Sequence, residues 1–138
     1  MSEEAARARA VVEGYFGAFN AGDGEGMLAL VSDDVEHHVN QGGVRRGRAA
    51  FADFCAHMGV SYREELRDMV IFVNAEGTRA AAEFVVHGEY LQTDPGLPEA
   101  RGQRYVLPAG SFFSLRDGKI TRVATHYNLA DWIAQVSA

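Results

Sequence analysis

Apolar positions recur every three or four residues near the start of the chain. Ala8, Val12, Tyr15, Phe16 and Phe19 form one stripe, which predicts an amphipathic helix. Asn20-Ala-Gly-Asp23 stops it, and Asp23 is placed to cap a short second helix carrying Met27, Leu28 and Leu30. From Asp34 to Gln41 the β-branched and histidine residues predict a short strand. Gly42, Gly43 and Gly47 bracket a turn, and Ala49–Met58 predicts a third helix with Phe51, Phe54, Cys55 and Met58 on its apolar face. The period then changes from helical to alternating. Leu66–Val73, Ala80–Gln92, Gln103–Leu115 and Ile120–Tyr127 read as strands, separated by the turn signals Asn74–Gly77 and Arg116–Lys119 and by the Pro- and Gly-rich loop Thr93–Gly102. Asn128 caps a last helix through Trp132, Ile133 and Val136.

Helices first and a strand meander after them predict an α+β domain over residues 1–138, its helices on one face of the sheet. A curved sheet wrapped round helices leaves a pocket, and a pocket is where a small ligand goes.

Composition and charge remove several alternatives. Nineteen acidic residues against 13 Lys and Arg give a net charge of −6, which argues against nucleic acid as a partner. No apolar run approaches the ~20 residues that a membrane span needs, so no membrane partner is expected. The opening MSEEAARARA is charged and alanine-rich, without the apolar core of a signal peptide, and predicts a cytoplasmic location. The single cysteine, Cys55, excludes an internal disulfide and reads as a small buried hydrophobe.

Four stretches carry a resemblance across nearly the whole chain: VVEGYFGAFNAGDGEGMLALVSDDV, GEYLQT, RDGKITR and the terminal DWIAQV. In order and spacing they resemble the SnoaL-like and ketosteroid-isomerase-like branch of the nuclear-transport-factor-2-like superfamily. The resemblance implies a cone-shaped, cystatin-like fold, a curved antiparallel sheet around the N-terminal helices, with an enclosed apolar pocket. It implies isomerases, polyketide cyclases and dehydratases among the relatives, alongside non-catalytic binders. Steroid isomerases of this kind use an Asp base, a Tyr and a protonated Asp. Carried over, the Tyr falls on Tyr15, the base on Val39 and the second Asp on Gly110, while the acid–base Asp of the cyclases falls on Thr125. The standard carboxylates are missing at those positions.

Strand alternation sorts what remains. Adjacent residues on a strand point to opposite faces, so His37 and His38 do not enter one pocket. With Val39 inward, His37 is inward and His38 outward. Without HxH or HExxH spacing the pair predicts no metal, and no cofactor is expected. The same alternation places Phe84, Val86, Gly88 and Tyr90 inward, then Val106, Gly110 and Phe112, then Val123, Thr125 and Tyr127. His37 and Tyr15 are the candidate catalytic pair, an imidazole near working pH and a hydroxyl for an enolate. Asn40, Tyr90, Phe84, Val86, Phe112, Val123, Thr125 and Tyr127 are the candidate ligand contacts. Val85, Leu107, Phe113 and Ile120 are expected on the outer face among His87, Arg122 and His126. Since relatives pair sheet to sheet, a homodimer is expected through that face.

Three functions fit this pattern. One is an isomerase or cyclase that moves a proton next to a carbonyl of a small hydrophobic substrate. The alternative is a non-catalytic protein that binds a small hydrophobic ligand. The third is an assembly module whose pocket is filled by its own aromatics.

Overall fold

The computed structural model describes residues 1–40 and 42–138. Helix α1 spans Glu3–Asn20 and α2 spans Gly24–Leu28; strand β1 spans Val31–Val39 and β2 spans Val44–Arg46. Helix α3, Arg48–Ser61, leads directly into β3, Tyr62–Val73, followed by β4, Arg79–Tyr90, β5, Arg104–Arg116, β6, Lys119–Tyr127, and α4, Leu129–Ser137. The fold is α+β, with one curved, unclosed six-stranded sheet in the order β2-β1-β6-β5-β4-β3.

The helix starts follow their expected chemistry. Ser2 Oγ accepts the Ala5 amide at 3.0 Å, Asp23 Oδ1 the Gly26 amide at 2.9 Å and Asn128 Oδ1 the Asp131 amide at 3.0 Å. Each satisfies a donor that the first helical turn leaves free. The β4–β5–β6 meander is antiparallel, but β1 lies parallel to β6, which brings His37 beside Val123 and Val39 beside Thr125. The predicted end of the first strand, Gln41, lies outside the described residues.

Two features fix how α1 meets the sheet. The Asn20 side chain acts as a surrogate strand neighbour for Leu66: its Nδ2 donates to the Leu66 carbonyl at 3.1 Å and its Oδ1 accepts the Leu66 amide at 2.9 Å. Just beyond, the β3 register shifts between Arg67 and Val70, with Asp68 at φ 57. The extra residue of this bulge changes the inward set of β3 from Tyr62, Glu64 and Leu66 to Ile71 and Val73. Phe16 then packs its ring against Phe84 and Phe113, with centroids at 5.4 and 5.6 Å.

The facing of β5 differs from expectation. Leu107 and Phe113 are 2% and 0% exposed, whereas Val106 and Phe112 are 51% and 49% exposed. Directly opposed residues of antiparallel strands share a face. Val86 faces inward and opposes Leu107, so the odd-numbered residues of β5 face the core. Ile120 is also buried rather than on the outer face. Both registers of β5 present apolar side chains, so alternation within the strand does not decide between them.

Candidate active-site pocket

The concave face of the sheet and helices α1, α3 and α4 enclose a cavity of about 280 Å³. Tyr15, His37, Phe84, Val86, Thr125 and Tyr127 all line it. Val123 is buried but contributes no wall. Three other expected contacts are placed elsewhere. Phe112 stands on the outer face, its ring 5.7 Å from that of His126, because of the β5 facing described above. Asn40 sits at φ 47 and ties the end of the sheet together: its amide donates to the Thr125 carbonyl at 2.7 Å and its Oδ1 accepts the Tyr127 amide at 3.0 Å. Tyr90 is fully buried, and its hydroxyl donates to the Pro98 carbonyl at 2.7 Å while accepting the Asp94 amide at 2.9 Å. Its chemistry is spent on holding the Thr93–Gly102 loop.

That loop and β3 bring in the carboxyl groups that Val39, Gly110 and Thr125 lack. Glu64 and Asp94 both line the cavity. Glu64 accepts a hydrogen bond from the Tyr105 hydroxyl. The two residues stand on β3 and β5, with Gly88 of β4 directly between them in register. Neighbouring strands are ~4.8 Å apart, so the tyrosine must lie across β4 to reach the carboxyl. A Cβ on residue 88 would lie 2.2 Å from Tyr105 Cζ. Glycine there is the condition for the Tyr105–Glu64 bond. Burial raises the proton affinity of Glu64, and the Tyr105 hydrogen bond opposes it only in part. Burial first, and then the Glu64 charge, raises that of Tyr105, which keeps its proton.

Asp94 is held at the rim by one hydrogen bond and one close imidazole nitrogen, both at the same oxygen. The Tyr62 hydroxyl donates to Oδ2 at 2.7 Å, and His57 Nε2 lies 3.1 Å from the same atom. Tyr127 also lines the cavity, and burial raises its pKa most, followed by the charges of Glu64 and then Asp94. Trp132 of α4 closes this end, its ring 4.9 Å from Tyr90 and 5.8 Å from Tyr105.

The opposite wall is largely apolar, and its polar groups include His37, Arg45, whose guanidinium carbon lies 4.9 Å from the Phe54 ring centroid, and a bonded hydroxyl pair, Ser111 and Thr125, 2.8 Å apart. His37 is 4% exposed, with an edge contact to Phe54 at 4.5 Å and a tilted one to Phe51 at 5.1 Å. Its pKa falls from 6.5 to about 4, chiefly through burial and then through the charges of Arg45 and His38. The imidazole is therefore neutral at pH 7 and a weak base. As pH falls through 6.5 towards about 4, the unfolded chain takes up a proton here that the folded chain refuses, so stability is lost across that window. The shift corresponds to about 3 kcal/mol. Urea unfolding at pH 7 and pH 4.5 is expected to show a smaller loss for His37→Phe than for the wild type; an equal loss would contradict the burial of a neutral imidazole.

Glu64 and Asp94 were not among the expected site residues. Tyr62, Glu64 and Leu66 do alternate with Arg63, Glu65 and Arg67, and that period of two was the available signal for Glu64. Asp94 had none, since contacts distant in sequence, the Tyr90 and Tyr62 hydroxyls among them, bring its loop to the pocket.

Residues 12–123 match the family described as SnoaL-like domain. Three crystal structures, each named as a candidate polyketide cyclase, are similar over nearly their full lengths. The one from Xanthomonas campestris pv. campestris is 57% identical, with 97% of this chain and 99% of that chain covered and a TM-score of 0.94. The one from Silicibacter sp. tm1040 is 64% identical, covering 95% and 96% at a TM-score of 0.93. The one from Pseudomonas putida kt2440 is 54% identical, covering 99% and 98% at 0.93. No curated protein matches the chain. With the greater part of its length matched and its fold shared from end to end, the chain belongs to the SnoaL-like family.

Proposed function

We propose that this protein moves a proton next to the carbonyl of a small, uncharged hydrophobic substrate, as an isomerase or a cyclase does, with Glu64 as the proton carrier. The observation that carries this reading is a carboxyl of raised proton affinity inside an apolar cavity, bonded to a tyrosine across Gly88. A carboxylate with a raised pKa is a better base for a weak carbon acid. It takes the α-proton and becomes a neutral carboxyl, and the electron pair moves to the carbonyl oxygen. Tyr127, which lines the same cavity as Glu64 and keeps its proton, donates a hydrogen bond to that oxygen. The carboxyl then returns the proton to the same or another carbon. His37 and Tyr15 belong to the wall that holds the ligand. The names of the three similar structures agree with chemistry at a carbon next to a carbonyl.

The test is hydrogen exchange by NMR in D2O on a panel of uncharged cyclic ketones. Faster α-hydrogen exchange than in a protein-free blank supports the reading. Ketones that bind without exchanging favour the alternative of a ligand-binding protein, to which the enclosed cavity is equally suited.

We also propose that the outer sheet face seats a second copy of the chain. Phe72, Val106 and Phe112 are 56%, 51% and 49% exposed there, and a two-fold axis would set this apolar strip against itself. Light scattering is expected to give a dimer at micromolar concentration and a monomer for Phe112→Glu. A monomeric wild type would contradict it.

A further inference from the structure

Ser111 on β5 and Thr125 on β6 are directly opposed in register, so they share a face, and both line the cavity. Their hydroxyl oxygens lie 2.8 Å apart. Two hydroxyls bring two protons, and the one bond between them uses one. Among the described residues neither hydroxyl has another partner. Burial sets the direction of the bond. Ser111 is 2% exposed, whereas Thr125 is half-buried and faces the cavity. A buried donor left unpaired costs about 1–3 kcal/mol, so Ser111 donates to Thr125 Oγ1 and the uncommitted proton is that of Thr125. No neighbour on this wall takes it. Arg45, seated over the Phe54 ring, has only donors, and His37 Nδ1 is buried without a partner and so is not bonded to it. This wall therefore offers the cavity a hydroxyl donor whose proton is free.

We infer that Thr125 is a recognition subsite for a second, uncharged oxygen acceptor. The ligand then carries, besides the carbonyl facing Glu64 and Tyr127, an ether, ester or second carbonyl oxygen that accepts from the Thr125 hydroxyl. This rests on the proposed function for the first carbonyl, but the acceptor end stands on the Ser111–Thr125 pair alone. Thr125 and Tyr127 are successive inward positions on β6, about 7 Å apart along the strand. The cavity of about 280 Å³ lies at the small end of ligand pockets, so both oxygens belong to one small ring system. Thr125 is a specificity residue and transfers no proton to carbon.

Calorimetric titration with 6-methoxy-1-tetralone and 6-ethyl-1-tetralone tests the subsite, since the two differ only by an oxygen in place of a methylene at the end opposite the carbonyl. The affinity ratio of methoxy to ethyl ketone is expected to be about fivefold higher in the wild type than in Ser111→Ala combined with Thr125→Val, the worth of one net hydrogen bond. Removing both hydroxyls together orphans neither, so the double variant keeps its fold. Ser111→Ala alone is expected to keep the wild-type ratio, and a loss there overturns the assignment of the free proton to Thr125. A ratio that the double variant changes less than about twofold overturns the subsite. Hydrogen exchange next to the carbonyl of the same ketones, followed alongside, then shows separately whether the proton-transfer reading stands. Binding of neither ketone by the wild type overturns both. If the double variant does not fold, 13C NMR of the wild-type Thr125 Cβ decides: the methoxy ketone shifts it and the ethyl ketone does not, and identical responses overturn the inference.

Discussion

Glu64→Gln is expected to bind ketones within a few-fold of the wild type and to lose about 10²–10⁴ of the exchange rate, the range of a single positioned acid–base group. The amide matches the carboxyl in shape, and its oxygen still accepts the Tyr105 hydroxyl, so the wall of the cavity stays in place. What disappears is the capacity to take up a proton. The result also separates Glu64 from other titratable groups that line the pocket, among them His37, His57 and Asp94. His37 is buried, neutral and weakly basic, and Asp94 has its Oδ2 shared between Tyr62 and His57. Exchange that survives in Glu64→Gln within a factor of a few would assign the proton to one of these, and the mechanism proposed for Glu64 would be wrong.

Gly88→Ala is expected to be strongly destabilising for a single added methyl. Its Cβ would meet Tyr105 at 2.2 Å on Cζ and 2.3 Å on Cε2, far inside contact distance. The ring cannot simply slide away, because Trp132 lies edge-on at 5.8 Å and Tyr105 is 2% exposed. Overpacking of this kind costs about 1–3 kcal/mol, and relief requires the ring to leave Glu64. Loss of that donor raises the proton affinity of the carboxyl further, since the Tyr105 bond is what lowers it. Thermal and urea unfolding should show the loss, and Gly88→Ala added to Tyr105→Leu should cost little, because the smaller side chain does not cross β4. Such non-additivity identifies a direct contact. A Gly88→Ala protein as stable as the wild type would show that Tyr105 does not lie across residue 88.

The elements were legible because their signals are local. The α1 stripe, the caps Asp23 and Asn128 and the turn at Asn74–Gly77 each depend on neighbours in sequence. Facing was legible where one side of a strand is plainly apolar, as for Phe84 and Val86 on β4 and for Thr125 and Tyr127 on β6. It was not legible on β5, where Val106 and Phe112 compete with Leu107 and Phe113 and only the register with β4 decides. The site was half legible for the same reason. His37 and Tyr15 are set by periodicity within one element, whereas the pairing of Glu64 with Tyr105 joins β3 to β5 across a glycine. Asp94 reaches the rim through a hydroxyl tether from Tyr90. The positions carried over by resemblance, Val39, Gly110 and Thr125, hold no carboxylate, and such a carry-over says nothing of carboxyls arriving from other strands. The β3 bulge is what allows this: before Asp68 the even residues, Glu64 among them, face the pocket.

The proposed chemistry needs Glu64 to be a pocket carboxyl that holds its proton more tightly than an ordinary glutamate. Side-chain 13C NMR of the Glu64 carboxyl over a pH titration measures this directly, with Glu64→Gln identifying the resonance. The prediction is a midpoint above the ordinary value of 4.5, moving higher still in Tyr105→Phe. A midpoint at or below that value, unmoved by Tyr105→Phe, would contradict both the burial of the carboxyl and its bond to Tyr105.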